Sequence, residues 1–286
     1  MSSRRLLLVH AHPDDETLTT GGTIARYAAE PDTSVTLVTC TLGEQGEVMT
    51  PELAGLAAEN ADQLGGYRVS ELAGACAALG LTDHRFLGGA GRWRDSGMAY
   101  IGHGVRATTL DVLHERAFAR PEAFDAQVDA LVAVLEDVRP QVVVTYGPDG
   151  GYGHPDHVRA HEITVAAVRR VPARLFFTAI GASTLAAGLA ALAKHDDLPF
   201  RLPDPDELPS VADAEVAARI DVAAQRERRI AALRAHATQV AVWENGDAVA
   251  FSVSNMVAQP FVDVEEFVAP DPYGAPSTDL FAGATA

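Results

Sequence analysis

Cysteine is almost missing from this chain: two among 286 residues, Cys40 and Cys76, far apart and with no CxxC pair. That scarcity argues against a disulfide framework and suits a reducing cytoplasm, where each thiol serves as a small buried apolar residue. Positive charge is scarce as well. Lys and Arg number 22 against 39 Asp and Glu, a formal charge of -17. Such a surface repels phosphate backbones and anionic lipid, so no nucleic acid and no membrane surface is expected as a partner. No obligatory protein partner is inferred. Long hydrophobic runs are lacking too. The apolar residues 6–9 follow two arginines, but the run is too short for a secretory h-region and no small-residue cleavage site follows it. "LFFTAIGASTLAAGLAALA", residues 175–193, is nearly long enough to span a bilayer, yet it is mostly Ala, Gly, Ser and Thr and is divided by Gly181. Its first half reads as a strand and its second as a helix capped by Ser183. There is no GxSxG, no GxGxxG and no Walker loop, and neither cysteine has an obvious histidine partner.

What remains is an ordinary globular composition, 48% hydrophobic and 21% charged, long enough to bury a substantial core. Strand-like runs alternate with helical periodicity: "RLLLVH", "SVTLVTCTL", "HRFLGG", "QVVVTYG" and "ARLFFTAI" are the expected strands. Helices are expected at 17–30, in two pieces within 52–79 broken near Gly65-Gly66, from Pro121 to 138, and from His154 to 170. Residues 89–120 show no clean period and read as an extended loop region. This pattern predicts an α/β fold, a Rossmann-like open, mostly parallel sheet flanked by helices over residues 1–195. A smaller C-terminal α+β portion, 196–286, is expected to pack on that core: a proline-rich linker to 213, a long helix over about 214–238, then short β pieces.

Open parallel sheets bind ligands beyond the carboxyl ends of their strands. Four expected strands end there on unusual polar clusters: "HAHPDD", "GEQGEV", "GAGRWRD" and "GPDGGYGHPDH". In the first, adjacent Asp14 and Asp15 repel unless a cation sits beside them, and Pro13 turns the chain outward. A divalent ion resolves the repulsion, with His12 and Asp15 as two ligands at a three-residue spacing. A catalytic zinc wants a third protein ligand from another strand end, and His154, Asp156, His157 and His161 compete for that place. Taking His157, the remaining groups divide the labour of amide or ester hydrolysis. Asp14 is placed to act as general base, His154 as proton donor with Asp156 orienting its ring, and Tyr152 as donor to an oxyanion. Glu47, Arg68 and Asp95 suit a hydroxyl-rich neutral substrate such as a sugar, or equally a set of surface salt bridges.

"HAHPDDE" followed by "GG" and, much later, "GHPDH" resembles the zinc-dependent de-N-acetylases that act on N-acetylglucosaminyl groups, the LmbE-like or PIG-L superfamily. "VTCTLGEQGEV", "ADQLGGYRVSEL", "LGGAGRWRDSGM", "GGYGHPDHV" and "RAHATQV" are similar to the branch that deacetylates N-acetylglucosaminyl-inositol in mycothiol biosynthesis. The likeness covers most of residues 5–165, returns around 230–240, and is weak across 196–213. It implies a cytoplasmic amidohydrolase acting on a small amino-sugar inositol with one zinc ion per subunit. Ferrous iron equally suits the donor set. By the resemblance the metal ligands are His12, Asp15 and His157, Asp14 is the base, His154 the acid, Tyr152 the oxyanion donor and Asp156 the residue that tunes His154. Arg68, Asp95 and Glu47 then hold sugar and inositol hydroxyls. The neighbouring branch, the mycothiol S-conjugate amidases, carries Lys where this chain has Thr19 and Pro where it has Gly153, so both differences favour the deacetylase. The "HATQ" residues His236, Thr238 and Gln239 recur in the family, and helix-end packing is the reading they favour.

Overall fold

The structure, a computed structural model, describes residues 4–100, 106–270 and 276–284. Its strands are β1 Arg4–His10, β2 Thr33–Thr39, β3 Asp83–Phe86, β4 Ala99–Tyr100, β5 Ala107–Thr108, β6 Val142–Tyr146, β7 Arg174–Ala179, β8 Ala218–Asp221, β9 Ala241–Asn245, β10 Ala248–Ser252, β11 Gln259–Pro260 and β12 Val264–Val268. The α-helices are α1 Asp15–Ala28, α2 Leu64–Leu79, α3 Phe124–Val138, α4 Pro155–Arg170, α5 Ala182–Leu192 and α6 Arg226–Ala235.

Seven strands form the main sheet in the order β3-β2-β1-β6-β7-β12-β8. The first five run parallel; β12 is antiparallel to both of its neighbours. The expected Rossmann-like α/β architecture is therefore present, with an antiparallel edge added by the last third of the chain. β1 lies at the centre of the five parallel strands because both of its faces are apolar. Leu6 and Leu8 pack with Ile24, Leu72 and Leu79 on one side, while Leu7 and Val9 pack with Val128, Leu131 and Ile163 on the other. A strand buried on both faces reads as a continuous apolar run rather than an alternating one. From β1 the chain winds outward through β2 and β3, then returns to β1's other side as β6 and β7. The strand order reverses between β1 and β6, and crevices open at such a point.

Several expectations are corrected. The long helix over 214–238 is instead strand β8 followed by the shorter α6. Pairing with β12 and burial of Val216, Ala218, Ile220 and Val222 outweigh the helix preference of the Ala and Arg residues there. Gly65-Gly66 does not break a helix. It lies in the first turn of α2, where a Cβ on Gly65 would come 2.6 Å from the Glu44 side chain. Ser183 does not cap α5; Gly181 is the cap, and Asp213 accepts from the Ser183 N–H and hydroxyl. Within 89–120 the structure adds the small β4–β5 ladder, while residues 101–105 of that expected loop lie outside the described residues. No helix among the described residues is long and apolar enough to cross a membrane.

Candidate metal and amide-hydrolysis site

Both sides of the switch point deliver histidines and carboxylates to one place. After β1, Pro13 turns the chain and α1 begins at once, so Asp14 is its cap residue and Asp15 and Glu16 fill its first turn. Acids there are favoured by the unpaired N–H groups of the turn. After β6, the loop 147–153 leads into α4, with His154 as cap and Pro155 at the first helical position. The loop depends on glycine twice. Gly150 has φ 66° with His157 Cβ 2.7 Å from any added Cβ, and Gly153 has φ 92° with the Ala107 carbonyl oxygen at 2.6 Å.

Asp15 is the hub. One carboxylate oxygen lies 3.2 Å from His12 Nδ1 and the other 3.3 Å from His157 Nε2. His157 Nδ1 faces the Gly150 carbonyl at 3.1 Å, which assigns the proton to Nδ1 and leaves Nε2 as a buried lone pair without a hydrogen-bond partner. A lone pair facing a carboxylate is repulsive unless a cation lies between them. Ligands on a tetrahedral ion with bonds of about 2.0–2.1 Å sit roughly 3.3 Å apart, the spacing found here. Donor atoms that all lie within 4.8 Å of one another come from His12, His154 and His157, and from His12, Asp95 and Asp156. Two groups of metal-capable donors thus share His12, and the donor types fit a divalent ion. Tyr146 braces the cluster: its ring stacks on His157 at 4.1 Å and 12°, and its hydroxyl accepts from the Ala11 N–H.

The charges follow from this crowding. Burial opposes a proton on His12, yet Asp95, Asp15 and Asp156 raise its pKa well above 6.5. Burial likewise opposes charge on Asp15, but His157 and His12 hold it well below the usual carboxylate range. A cation in this position would satisfy Asp15, Asp95 and Asp156 as a proton on His12 does. Asp14 is pushed up to about 6 by burial, against the pull of Arg68, whose Nη2 lies 3.0 Å from its carboxylate. Burial, with the neighbouring charges of His12 and His157, depresses His154 well below 6.5.

The ten expected site residues all line one cavity of about 1060 Å³ except Asp156, which lies fully buried behind His12. Three of them have partners that the sequence did not suggest. Asp156 does not hold the His154 ring through its carboxylate. That carboxylate binds His12 Nε2 at 3.1 Å and the Ser96 N–H at 2.9 Å, while His154 Nδ1 accepts from the Asp156 backbone N–H. Arg68 is committed to Asp14 and to the Gly43 and Pro13 carbonyls. Asp95 accepts from the Gln45 and Gly97 N–H groups and lies 3.6 Å from His12. Glu47 is exposed at the cavity wall, and Tyr152 stands over His157 with ring centroids 5.1 Å apart. His161, once a competing ligand, faces away toward the Tyr146 carbonyl. Glu16, Glu71 and Tyr146 are the residues sequence reasoning missed, because their partners are distant in the chain.

A fold of this kind with histidines and carboxylates at its switch point describes a class of metal-assisted hydrolase sites. The model of the GlcNAc-PI de-N-acetylase family, PIG-L, matches residues 7–168, and the chain belongs to that family. It is 56% identical to 1D-myo-inositol 2-acetamido-2-deoxy-alpha-D-glucopyranoside deacetylase 1 of Saccharopolyspora erythraea, over 98% of this chain and 94% of that one. The deacetylase of the same substrate from Mycobacteroides abscessus is 52% identical, over 99% of each chain. Among solved structures, the 4-carboxy-2-hydroxymuconate hydratase of Pseudomonas putida KT2440 shares the fold, with a TM-score of 0.56 and 16% identity over 96% of this chain and 99% of that one. A hydratase on this scaffold means that the site, not the fold, carries the argument for function.

Proposed function

We propose that the chain hydrolyses the acetamide of 1D-myo-inositol 2-acetamido-2-deoxy-α-D-glucopyranoside, N-acetylglucosaminyl-inositol, to acetate and glucosaminyl-inositol, a cytoplasmic step of mycothiol biosynthesis. One observation carries it: Asp14, Asp15, His12, His154 and His157 converge in the lining of one cavity, in a chain more than half identical to relatives named for that substrate. His12, Asp15 and His157 would hold one zinc ion, ferrous iron being the alternative. When bound, the metal supplies polarisation of the amide carbonyl and acidifies the attacking water.

The chain's own groups do the rest. Asp14 takes the proton from water at its carboxylate, and a pKa raised toward neutrality suits a base. The water oxygen bonds to the carbonyl carbon, and Tyr152 donates to the carbonyl oxygen as it gains charge. His154 moves a proton from Nε2 to the nitrogen as the C–N bond breaks. Its Nδ1 is occupied by the Asp156 N–H, so Nε2 is the atom that faces the cavity. Asp95 and Glu47 meet substrate hydroxyls, and Arg68 sets the orientation of Asp14.

A second reading, amide cleavage in a larger mycothiol S-conjugate, draws on the cavity's extension past the site to Ile180, Leu185, Phe251 and Pro260. Against it stands Gly153, whose φ of 92° is closed to the proline of that branch. Comparing kcat/KM on N-acetylglucosaminyl-inositol and on a mycothiol S-conjugate separates the two. Preference for the acetamide is the expected result, and preference for the conjugate would overturn the substrate assignment.

A further inference from the structure

His236 ends α6 and is fully buried, yet it is absent from the residues that line the cavity. Its Nε2 lies 2.8 Å from Glu16 Oε1, 220 positions away in the chain. The same oxygen accepts the Thr17 hydroxyl at 2.6 Å, and the other oxygen of Glu16 accepts the Asp14 N–H at 2.9 Å. One buried carboxylate therefore joins the backbone of Asp14 to the C-terminal end of α6.

The tie matters because of the conformation it holds. Asp14 has φ 123° and ψ -34°, a region that L residues avoid and that persists only where surrounding contacts impose it. That conformation aims the carboxylate at Arg68 and the cavity. The Asp14 N–H is pinned by Glu16, and Glu16 can pin it only while its own side chain is fixed. The rest of the segment anchors His236 in turn. The Thr238 N–H and hydroxyl donate to Glu71 on α2 at 2.8 and 2.6 Å, and the Gln239 amide donates to the Glu47 carbonyl at 3.3 Å.

We propose that His236 is a positioning residue for Asp14, acting through Glu16 to hold the proton-accepting carboxylate in its productive orientation. This rests on the reading of Asp14 as the base. The test is a double-mutant cycle on the zinc-loaded enzyme, with kcat and KM on N-acetylglucosaminyl-inositol and zinc affinity by chelator competition. His236→Ala is expected to lower kcat by about 10- to 100-fold, the usual cost of losing an orienting partner, with KM and zinc affinity little changed. His236→Gln, whose amide can still donate to Glu16, is expected to recover most of that loss. In an Asp14→Asn background, His236→Ala is expected to cost nothing further, since residues acting as a unit are not additive. Equal losses in both backgrounds, or no loss in either, would overturn the proposal. If His236→Ala does not fold, His236→Asn, too short to reach Glu16, takes its place in the same comparison. Undiminished kcat in Asp14→Asn alone would instead sink the assignment of the base, which keeps the two failures apart.

Discussion

The turn after β1 and the turn after β2 are both acid-rich and both lie at the carboxyl edge of the sheet, yet their charges are met differently. In the first, His12, Asp14, Asp15 and Glu16 are all buried, and each carboxylate has a cationic or N–H partner: Arg68 for Asp14, the backbone N–H and ring of His12 for Asp15, His236 for Glu16. In the second, Gln45 and Glu47 are exposed and only Glu44 is buried, on the Asp95 N–H. Buried charge must be compensated by the protein itself, so every substitution in the first turn leaves something unpaired. Exposed charge is met by water and remains available to a ligand. The first turn is machinery; the second is a surface that a substrate can rearrange.

This contrast orders the expected effects of mutation. Asp14→Asn removes the proton acceptor while keeping shape, and kcat is expected to fall by about 10²–10⁴-fold, with zinc retained; turnover and metal content checked together would break the contrast if both stayed at wild-type levels. Glu16→Gln leaves His236 against a neutral amide and is expected to cost about 3–5 kcal/mol of stability, the range for breaking a buried ion pair. Its pH dependence has a definite sign. Burial opposes charge on Glu16, but His236, Thr17 and the Asp14 N–H pull its pKa down to about 2 from 4.5. A depressed carboxylate stabilises above its unfolded pKa, so its contribution is expected to disappear as pH falls from 4.5 toward 2. Denaturant midpoints for the two proteins should converge across that window; a constant gap would contradict the pairing.

Tyr146→Phe keeps the stack on His157 and loses the hydroxyl that fixes Ala11, so zinc affinity is expected to weaken by about tenfold or more; chelator competition measures it. Glu47→Ala lies at the other end of the scale. It is expected to raise KM with kcat unchanged and to move stability by no more than about 0.5 kcal/mol. A large fall in kcat there would show that the second turn is machinery after all.

The same contrast explains what could be read from the chain. β1, β2, β6 and β7 were legible because doubly buried strands leave dense apolar runs, and the site was legible because each cluster follows such a run. Local spacing singles out His12 and Asp15 and leaves His157 among four competing third ligands, residue chemistry gives Asp14, His154, Asp156 and Tyr152 their roles, and family resemblance decides for His157 and for Glu47, Arg68 and Asp95 as substrate contacts. Partners across long separations left no local trace. Nothing near Asp14 announces His236, and nothing near Asp156 tells whether its carboxylate turns to His154 or, as found, to His12. β8 was misread as helix although Val216, Ala218, Ile220 and Val222 alternate at a strand's period; the Ala and Arg content masked a pattern that only pairing with β12 makes decisive.

The central claim is that the first turn, with His157, builds a metal-dependent acetamide hydrolase. Its most direct test is acetate release from N-acetylglucosaminyl-inositol by chelator-stripped protein, with and without one equivalent of zinc. The account expects no release without metal and restored release with it. Equal release in both, or none with zinc bound, would contradict it.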